Sequence, residues 1–324
     1  MYTSEQILAM VNRTLAELPY DRKPEGLYEP MKYVLSLGGK RIRPVMMLMG
    51  YNLYKEDVDS ILMPAIGLET YHNYTLLHDD LMDKADVRRG HPTVHRKWNE
   101  NAAILSGDTM LVMAYRYMAQ CAPEYLSQTM ELFTETALEI GEGQQYDMGF
   151  ETRNDVTEVE YIELIRLKTS VLLACALKLG ALLAGAPASD AEALYEFGEQ
   201  IGLAFQLQDD YLDVYGDFEV FGKRIGGDIL CNKKTYMLIN ALSLANASQR
   251  HELESWLAAT DYEEEEKIKG VTRLYDEMGI PSLAQQKIQY YYALAQESLS
   301  RVSLPDDRKA LLWQYAQTML NRKN

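Results

Sequence analysis

Two groups of aspartates could do chemistry, because each places three carboxylates at positions i, i+1 and i+4. They are Asp79, Asp80 and Asp83 in LLHDDLMD, and Asp209, Asp210 and Asp213 in QLQDDYLD. On an α-helix, where each residue turns ~100°, these positions share about a third of the circumference. Like charges crowded on a half-buried face repel and are costly to desolvate unless a hard cation such as Mg²⁺ neutralises them. The spacing therefore predicts magnesium sites.

A solvated acidic helix end is the alternative interpretation of either group alone, because short motifs recur by chance. Here the same group occurs twice, and each is followed by a polar segment rich in Lys and Arg, at residues 84–97 and 216–234. A calcium site of the EF-hand type is disfavoured, because the sequence lacks its loop of roughly 12 residues with a central Gly and a terminal Glu. The repetition favours a site for metal ions and phosphate.

Basic residues that could hold phosphate occur at several points along the chain, and some of them directly follow an aspartate group. They are Lys40, Arg41 and Arg43 after the pair Gly38–Gly39, Arg88 and Arg89 before Gly90, Lys168 beside Thr169, and Lys223 and Lys233. A glycine pair lets backbone amides approach an anion, and Lys and Arg supply charge-assisted hydrogen bonds. Lys168 interrupts the apolar stretch LIRLKTSVLLACAL, where a lysine is costly unless it meets an anion. Each cation alone is more often a surface residue, but together they predict a pocket for two diphosphates.

Helical periodicity runs through the whole chain, and strong helix formers are plentiful. We predict an all-α fold, one large helical bundle whose long helices aim side chains at a shared interior, and a single domain over residues 1–324. The expected helices cover 4–18, 27–37, 43–53, 59–83, 98–120, 124–149, 157–183, 190–215, 233–247, 250–259, 262–278, 282–300 and 306–321. Thr157, three residues before Glu160, predicts a capping box at one helix start.

Composition excludes several other classes of protein. The formal net charge of −16 disfavours nucleic-acid binding, which needs a basic face. Three widely spaced cysteines suggest neither a disulfide framework nor a zinc site, and a reducing compartment follows. The first residues do not have the pattern of a signal peptide, and no stretch approaches the roughly 20 apolar residues of a membrane span. We therefore expect a cytoplasmic protein without a membrane span.

The motifs GGKRIRP, HDDLMDKADVRRGHPTVH, GEGQQYD, the KT pair, FQLQDDYLD and GKRIGGDILCNKKTY occur in that order between residues 38 and 236. In type and order they resemble the trans-isoprenyl diphosphate synthase family, which includes farnesyl and geranylgeranyl diphosphate synthases. The resemblance implies a bundle around a central cavity, a homodimer, and a head-to-tail condensation of isopentenyl diphosphate with an allylic diphosphate. It also implies three Mg²⁺ ions per active site.

The resemblance assigns roles position by position. Asp79, Asp83 and Asp209 match metal ligands, and Asp80, Asp210 and Asp213 match groups acting through metal-bound water. Isopentenyl diphosphate would be held by Lys40, Arg43, His72 and Arg89, and the allylic diphosphate by Arg88, Lys168, Lys223 and Lys233. Thr169 and Gln206 match groups whose oxygens face the developing allylic cation, and Gln144 and Asp147 match a further element lining the same cavity.

Three alternative functions compete with this assignment. A class I terpene cyclase also ionises a diphosphate with a first DDxxD motif, but it usually carries a different second metal motif and does not need GGKRIRP. A non-catalytic subunit of a heteromeric synthase would typically have lost aspartates or arginines that are present here. An acidic helical scaffold explains neither basic segment.

Product length is expected to depend on residues one or two turns before the first aspartate group: Tyr71, Tyr74 and Thr75. In the family that the chain resembles, these residues close the bottom of the product pocket, and aromatic side chains there imply a short product. The resemblance favours a C15 product, with C20 next, and HNYTLLHDD is similar to archaeal geranylgeranyl synthases. A plain helical wheel turns Tyr74 away from the carboxylate face. Ordinary core packing is the alternative role for both tyrosines.

Overall fold

The computed structural model describes residues 1–216 and 225–320 and confirms the all-α prediction. Its α-helices are α1 (Ser4–Ala16), α2 (Glu25–Ser36), α3 (Ile42–Asn52), α4 (Leu62–Met82), α5 (Val94–Lys97), α6 (Glu100–Met118), α7 (Leu126–Glu151), α8 (Glu158–Ile165), α9 (Val171–Leu183), α10 (Ala188–Tyr215), α11 (Gly227–Leu230), α12 (Tyr236–Leu244), α13 (Ala247–Ala258), α14 (Glu264–Glu277), α15 (Ile280–Ser300) and α16 (Asp306–Leu320). Short 3₁₀ turns occur at Val58–Ile61 and Pro123–Tyr125, and a π-helical segment at Arg166–Ser170.

The chain forms two compact units. The first unit comprises Met1–Glu135, Cys175–Tyr195 and Val302–Leu312, and the second comprises Thr136–Ala174, Glu196–Arg301 and Trp313–Asn324. The prediction of one domain over residues 1–324 stays a prediction. Among the described residues, no helix combines the length and the apolar character that crossing a membrane requires.

In the first unit, α4 is the central helix. Every residue from 64 to 71 is buried, so this part of α4 has no face exposed to solvent. A helix that is buried on all sides is surrounded by other elements, and α1, α2, α3 and α6 pack against it. Burial ends along the last turn, where Met82 and Asp83 are exposed. The core of the unit thus holds α4 rigidly and leaves its carboxyl end available for chemistry.

In the second unit, α10 and the first residues of α9 form much of the core. Leu172, Leu173, Leu203 and Leu207 are all at most 3% exposed. The capping box predicted at Thr157 is present, with the Thr157 hydroxyl accepting from the Glu160 amide at 3.3 Å. It fixes the start of α8, which leads directly into the π-helical segment.

Two expected irregular segments contain more structure than the sequence indicated. Residues 84–97 hold a two-stranded antiparallel hairpin, β1 (Val87–Arg88) and β2 (His91–Pro92), followed by the single turn of α5. The second segment holds α11. The helix expected at 157–183 is divided by the π-helical segment, where the hydrogen-bond ladder shifts by one residue. Each departure lies at a residue assigned to the site.

Candidate active site

The first aspartate group lies at the carboxyl end of α4. Asp80 is only 5% exposed, and its Oδ1 accepts from Arg88 Nε at 2.9 Å and from Nη2 at 2.5 Å. Burial raises the pKa of Asp80, while the bonds from Arg88 oppose that rise. Asp79 and Asp83 lie one turn apart on the same side of α4 and are less buried. These two carboxylates are therefore the more accessible to a cation.

The hairpin after α4 explains how two adjacent arginines are held. Arg88 pairs with His91, which leaves Arg89 and Gly90 as a two-residue turn. Both turn residues have positive φ, 53° and 77°, as a type I′ turn requires. Tyr33 of α2 donates to the Pro92 carbonyl at 2.8 Å and fixes the hairpin to the helices. A tight turn thus presents two guanidinium groups beside the aspartates.

The glycine pair before α3 lies against Arg89. Arg89 Nη1 donates to the Gly38 carbonyl. Gly39 has a φ of 127°, and a Cβ at this position would lie 2.9 Å from the Arg89 guanidinium carbon. Any side chain here would displace Arg89. The glycine pair therefore allows the Arg89 guanidinium to approach closely, in addition to forming the turn. Lys40 follows directly and is exposed.

Arg43 and His72 form the polar contact between α3 and α4. Arg43 Nη1 lies 3.1 Å from His72 Nε2, and because a guanidinium can only donate, this ring nitrogen accepts and the ring is neutral. Desolvation, and then the charges of Arg43, Arg89, Arg88 and Arg41, lower the pKa of His72 well below its ordinary value. Desolvation lowers the pKa of Arg43 to about 10, so it stays protonated near neutral pH.

Arg43, Arg88, Arg89 and His72 therefore lie close together, and we call this set the guanidinium cluster. The Nε of Arg43 is buried and has no hydrogen-bond partner among the described residues. A buried donor without a partner is costly, and several guanidiniums around a neutral histidine repel one another. An anion with several oxygens would satisfy the donor and relieve the repulsion.

Arg41 corrects part of the sequence interpretation, which grouped it with the phosphate-binding cations. Its side chain points into the core, where Nη1 forms a 2.7 Å ion pair with Glu69 and Nη2 donates to the Leu35 carbonyl at 2.6 Å. Asn73 also donates to Glu69, at 2.8 Å. Glu69 was missed, although an acidic residue inside the apolar run AIGLETY was a signal. Arg41 holds the turn rather than a ligand.

The second aspartate group lies near the end of α10. Asp210 is 3% exposed and accepts from the Tyr161 hydroxyl and, at 3.1 Å, from the Gln206 amide. Burial raises the pKa of Asp210, and the nearby Asp228 carboxylate raises it further. Asp213 accepts from the Asp228 backbone amide at 2.9 Å. Asp209 is the least buried of the three. In both groups the second aspartate, Asp80 or Asp210, is buried and hydrogen-bonded to other protein side chains.

The π-helical segment brings four predicted residues together. Lys168 forms an ion pair with Asp147 of α7. Thr169 donates to Gln206 Oε1 at 3.2 Å, and Gln206 donates onward to Asp210. Gln144 lies one turn before Asp147 on α7. Since π-helical turns often mark functional sites, this one explains how Lys168 and Thr169 leave an apolar helix together.

Arg166 begins the π-helical segment and was not identified from the sequence. Its Nε and Nη2 contact Glu163 at 2.8 and 2.9 Å, and its Nη1 lies 3.1 Å from Glu139 and 3.4 Å from Glu199. Three carboxylates from three helices thus hold the backbone turn that carries Lys168.

The segment after the second aspartate group contributes Lys233 and, unpredicted, Asp228. Lys233 Nζ lies 3.9 Å from Asp228 Oδ1. The position of Asp228, directly after the pair Gly226–Gly227, gave no signal of its own. Lys223 lies outside the described residues.

An aromatic cluster lies on α4 before the first aspartate group. The ring centroid of Tyr71 is 5.4 Å from that of Tyr74 and 5.3 Å from that of Phe133, and Tyr74 lies 4.9 Å from the His78 ring. Tyr71 is buried and Tyr74 is partly exposed. Thr75 donates to the His72 carbonyl at 2.8 Å. Phe133 was not predicted, because it lies on another helix.

Within residues 1–216 and 225–320, no three carboxylate, imidazole or thiol groups converge as a ready-made metal site. Mg²⁺ typically takes only one or two carboxylates per ion and completes its shell with water and substrate phosphate. The accessible donors, Asp79, Asp83 and Asp209, fit that requirement in number and type.

Comparisons with known proteins agree with these features. The Polyprenyl synthetase family profile matches residues 24–275. A geranylgeranyl diphosphate synthase from Methanosarcina mazei is 44% identical over 233 residues, 71% of this chain and 72% of that protein. A short chain isoprenyl diphosphate synthase from Methanothermobacter thermautotrophicus is 36% identical over 303 residues, 93% of this chain and 92% of that protein. A crystal structure of geranylgeranyl pyrophosphate synthase matches with a TM-score of 0.93 and 40% identity over 100% of both chains. The chain therefore belongs to the polyprenyl synthetase family, as a trans-isoprenyl diphosphate synthase of the short-chain type.

Proposed function

We propose that this prenyltransferase joins isopentenyl diphosphate to an allylic diphosphate, dimethylallyl or geranyl, and that its main product is geranylgeranyl diphosphate (C20). In the reaction the allylic C–O bond breaks and its electron pair leaves with diphosphate. The isopentenyl double bond supplies the pair for the new C–C bond. This leaves a carbocation on the former isopentenyl unit. The carbon next to the cationic centre then loses a proton, which the released diphosphate accepts.

Three members of the guanidinium cluster carry the proposal: we assign isopentenyl diphosphate to Arg43, Arg89 and His72, with Lys40 as a further contact. This substrate must be held by its diphosphate without being ionised, so direct hydrogen bonds suit it better than metal ions. The buried, unpartnered Nε of Arg43 and the neutral His72 beside it supply that kind of contact.

We assign Asp79, Asp83 and Asp209 as ligands of three Mg²⁺ ions that bind with the allylic diphosphate. The ions, when bound, neutralise the leaving diphosphate. Asp80, Asp210 and Asp213 are assigned to the surrounding shell, since Arg88, Tyr161 and the Asp228 amide already bond to them. Arg88, Lys168, Lys223 and Lys233 complete the contacts to this diphosphate.

The direction of the hydrogen bonds suits Thr169 to its expected role. Asp210 accepts from the Gln206 amide, which leaves Gln206 Oε1 to accept from the Thr169 hydroxyl. Because Thr169 spends its only proton there, its oxygen offers lone pairs to a neighbouring group. Such an oxygen can face a developing allylic cation. Gln144 and Asp147 belong to the same wall, and Asp147 holds the Lys168 ammonium.

Product length is proposed from the names of the relatives and from the aromatic cluster. Both C15 and C20 lie within the range that the sequence predicts, and the geranylgeranyl synthases among the relatives favour C20. Tyr74, partly exposed five residues before Asp79, lies about 7.5 Å below it along the helix axis. Tyr71 is buried against Phe133, so we assign Tyr74 as the first barrier to chain growth and Tyr71 as the second.

We further propose that the protein is a homodimer in the cytoplasm. Leu105 and Val112 of α6 are 60% and 67% exposed and lie two turns apart on one helix face, where apolar side chains gain from being covered. The three cysteines, Cys121, Cys175 and Cys231, are in the reduced form, which suits a reducing compartment.

The function is tested by incubating the purified protein with isopentenyl diphosphate, Mg²⁺ and dimethylallyl, geranyl or farnesyl diphosphate, with mass analysis of the products. We expect C20 as the main product from each primer, and no product after chelation. A cyclic hydrocarbon released without isopentenyl diphosphate would instead indicate a terpene cyclase. No condensation under any of these conditions would support a non-catalytic subunit.

A further inference from the structure

Lys267 of α14 is fully buried, at 0% exposure. Lysine is almost never buried unless it is paired with an anion. Among the described residues, no carboxylate lies within ion-pair distance of Lys267. The ammonium instead contacts neutral groups: Asn232 Oδ1 at 2.7 Å, the Leu230 carbonyl at 3.5 Å, and the face of the Tyr262 ring, 4.5 Å from its centroid.

These contacts converge on the turn at residues 230–232, which connects α11 to Lys233. Leu230 is the last residue of α11, and its carbonyl would otherwise lack a helical partner. The hydroxyl of Tyr262 also donates to that carbonyl, at 3.4 Å. Asn232 has a φ of 54°, and its side-chain Nδ2 donates to the Leu257 carbonyl at 2.9 Å. Lys267 and Leu257 thus hold both the end of α11 and the left-handed residue that follows it.

The same turn determines the position of two groups of the site. The Lys233 amide donates to the Asp228 carbonyl at 2.9 Å, which closes the turn. The Asp228 amide in turn donates to the Asp213 carboxylate at 2.9 Å. A shift of residues 230–232 would therefore move Lys233 relative to the second aspartate group.

We propose that Lys267 is a positioning residue: its buried ammonium fixes the 230–232 turn and thereby places Lys233 for the allylic diphosphate. The inference rests on the proposed function of Lys233. A buried cation held only by neutral oxygens carries a large desolvation penalty, and an apolar side chain would fill the same space without it. What the ammonium does contribute is the geometry of the turn, through its contacts to the Leu230 carbonyl and to Asn232.

Three variants test the proposal: Lys267→Met, which is unbranched and only one atom shorter, Lys267→Arg, which keeps the charge, and Lys269→Met as a control. Lys269 lies on the same helix with 76% of its side chain exposed. For Lys267→Met we expect KM for the allylic diphosphate to rise about tenfold or more, because Lys233 would lose its charge-assisted hydrogen bond to that substrate. KM for isopentenyl diphosphate should stay unchanged. Lys267→Arg should recover part of the loss, and Lys269→Met should match the wild type.

Hydrogen exchange in the ligand-free protein supplies a readout independent of turnover. Amides of residues 228–235 should exchange faster in Lys267→Met than in the wild type or in Lys269→Met, while the amides of α10 stay protected. If Lys267→Met does not fold, Asn232→Gly replaces it, because glycine accepts the positive φ and removes only the side-chain bonds. Unchanged exchange, or an equal rise of both KM values, in an active background would overturn the proposal. An inactive wild-type enzyme would count against the proposed function instead, and the exchange result would still decide the role of Lys267.

Discussion

Replacing Arg43 by methionine removes the guanidinium and keeps the apolar stem. We expect a selective loss of isopentenyl diphosphate binding, because Arg43 supplies one donor to His72 and one buried donor that lacks a partner. A charge-assisted hydrogen bond contributes about 1.5–3 kcal/mol, and the change also leaves His72 Nε2 without its donor. We take about 3 kcal/mol in total, which corresponds to a fall of about 150-fold in kcat/KM for isopentenyl diphosphate.

The assay is steady-state kinetics in which each substrate is varied while the other is saturating. Arg250→Met is the matched control, because Arg250 is exposed and its 3.4 Å pair with Glu254 is of a kind that contributes about 0.3–0.5 kcal/mol. It should leave both constants near the wild-type values. Equal losses for both substrates in Arg43→Met, or no loss for isopentenyl diphosphate, would refute the assignment of the guanidinium cluster.

Four further predictions follow from the same structure. Asp79→Ala and Asp209→Ala should each lower turnover by about a thousandfold or more while the circular dichroism spectrum stays unchanged, and near-normal rates in both would contradict the metal assignment. Tyr74→Ala should lengthen the main product by at least one C5 unit, as mass analysis would show; an unchanged product would place the floor on another helix. Because the pKa of His72 is lowered on folding, the unfolded chain binds the extra proton, so lowering the pH from 7.5 to 5.5 should destabilise the wild type more than His72→Gln in urea unfolding, by up to about 1.4 kcal/mol. Leu105→Glu should convert the dimer into a monomer in sedimentation, and a wild-type monomer would refute the proposed interface.

Much of the fold was predictable because helix formation leaves a strong local signal. The apolar periodicity of α4 and α10 placed both aspartate groups on helices, and the motif order gave the family. The capping box at Thr157 was predictable for the same reason, since it depends only on residues three apart.

Contacts between residues distant in sequence were not predictable. The sequence assigned Asp80 to the metal site and Arg88 to a diphosphate, as two independent groups. In the structure the hairpin folds Arg88 back, and its guanidinium donates to the Asp80 carboxylate. The Tyr161 bond to Asp210 joins two helices, and nothing in the spacing marks Tyr161 as different from other tyrosines. The π-helical segment depends on carboxylates from three helices meeting Arg166, so local propensity predicted an uninterrupted helix.

The left-handed backbone of Arg89 places two opposed selective pressures on one residue. A φ of 53° favours glycine or asparagine, and most other residues are disfavoured there by roughly 1–2 kcal/mol. The contact to isopentenyl diphosphate that we propose for Arg89 nevertheless needs a guanidinium, which neither of the favoured residues can supply. Consensus design, which replaces a conformationally unusual residue with the statistically preferred one, would choose glycine here and yield a more stable protein with poor affinity for its homoallylic substrate. Arg89 is thus a position where thermal stability and substrate affinity should change in opposite directions under mutation.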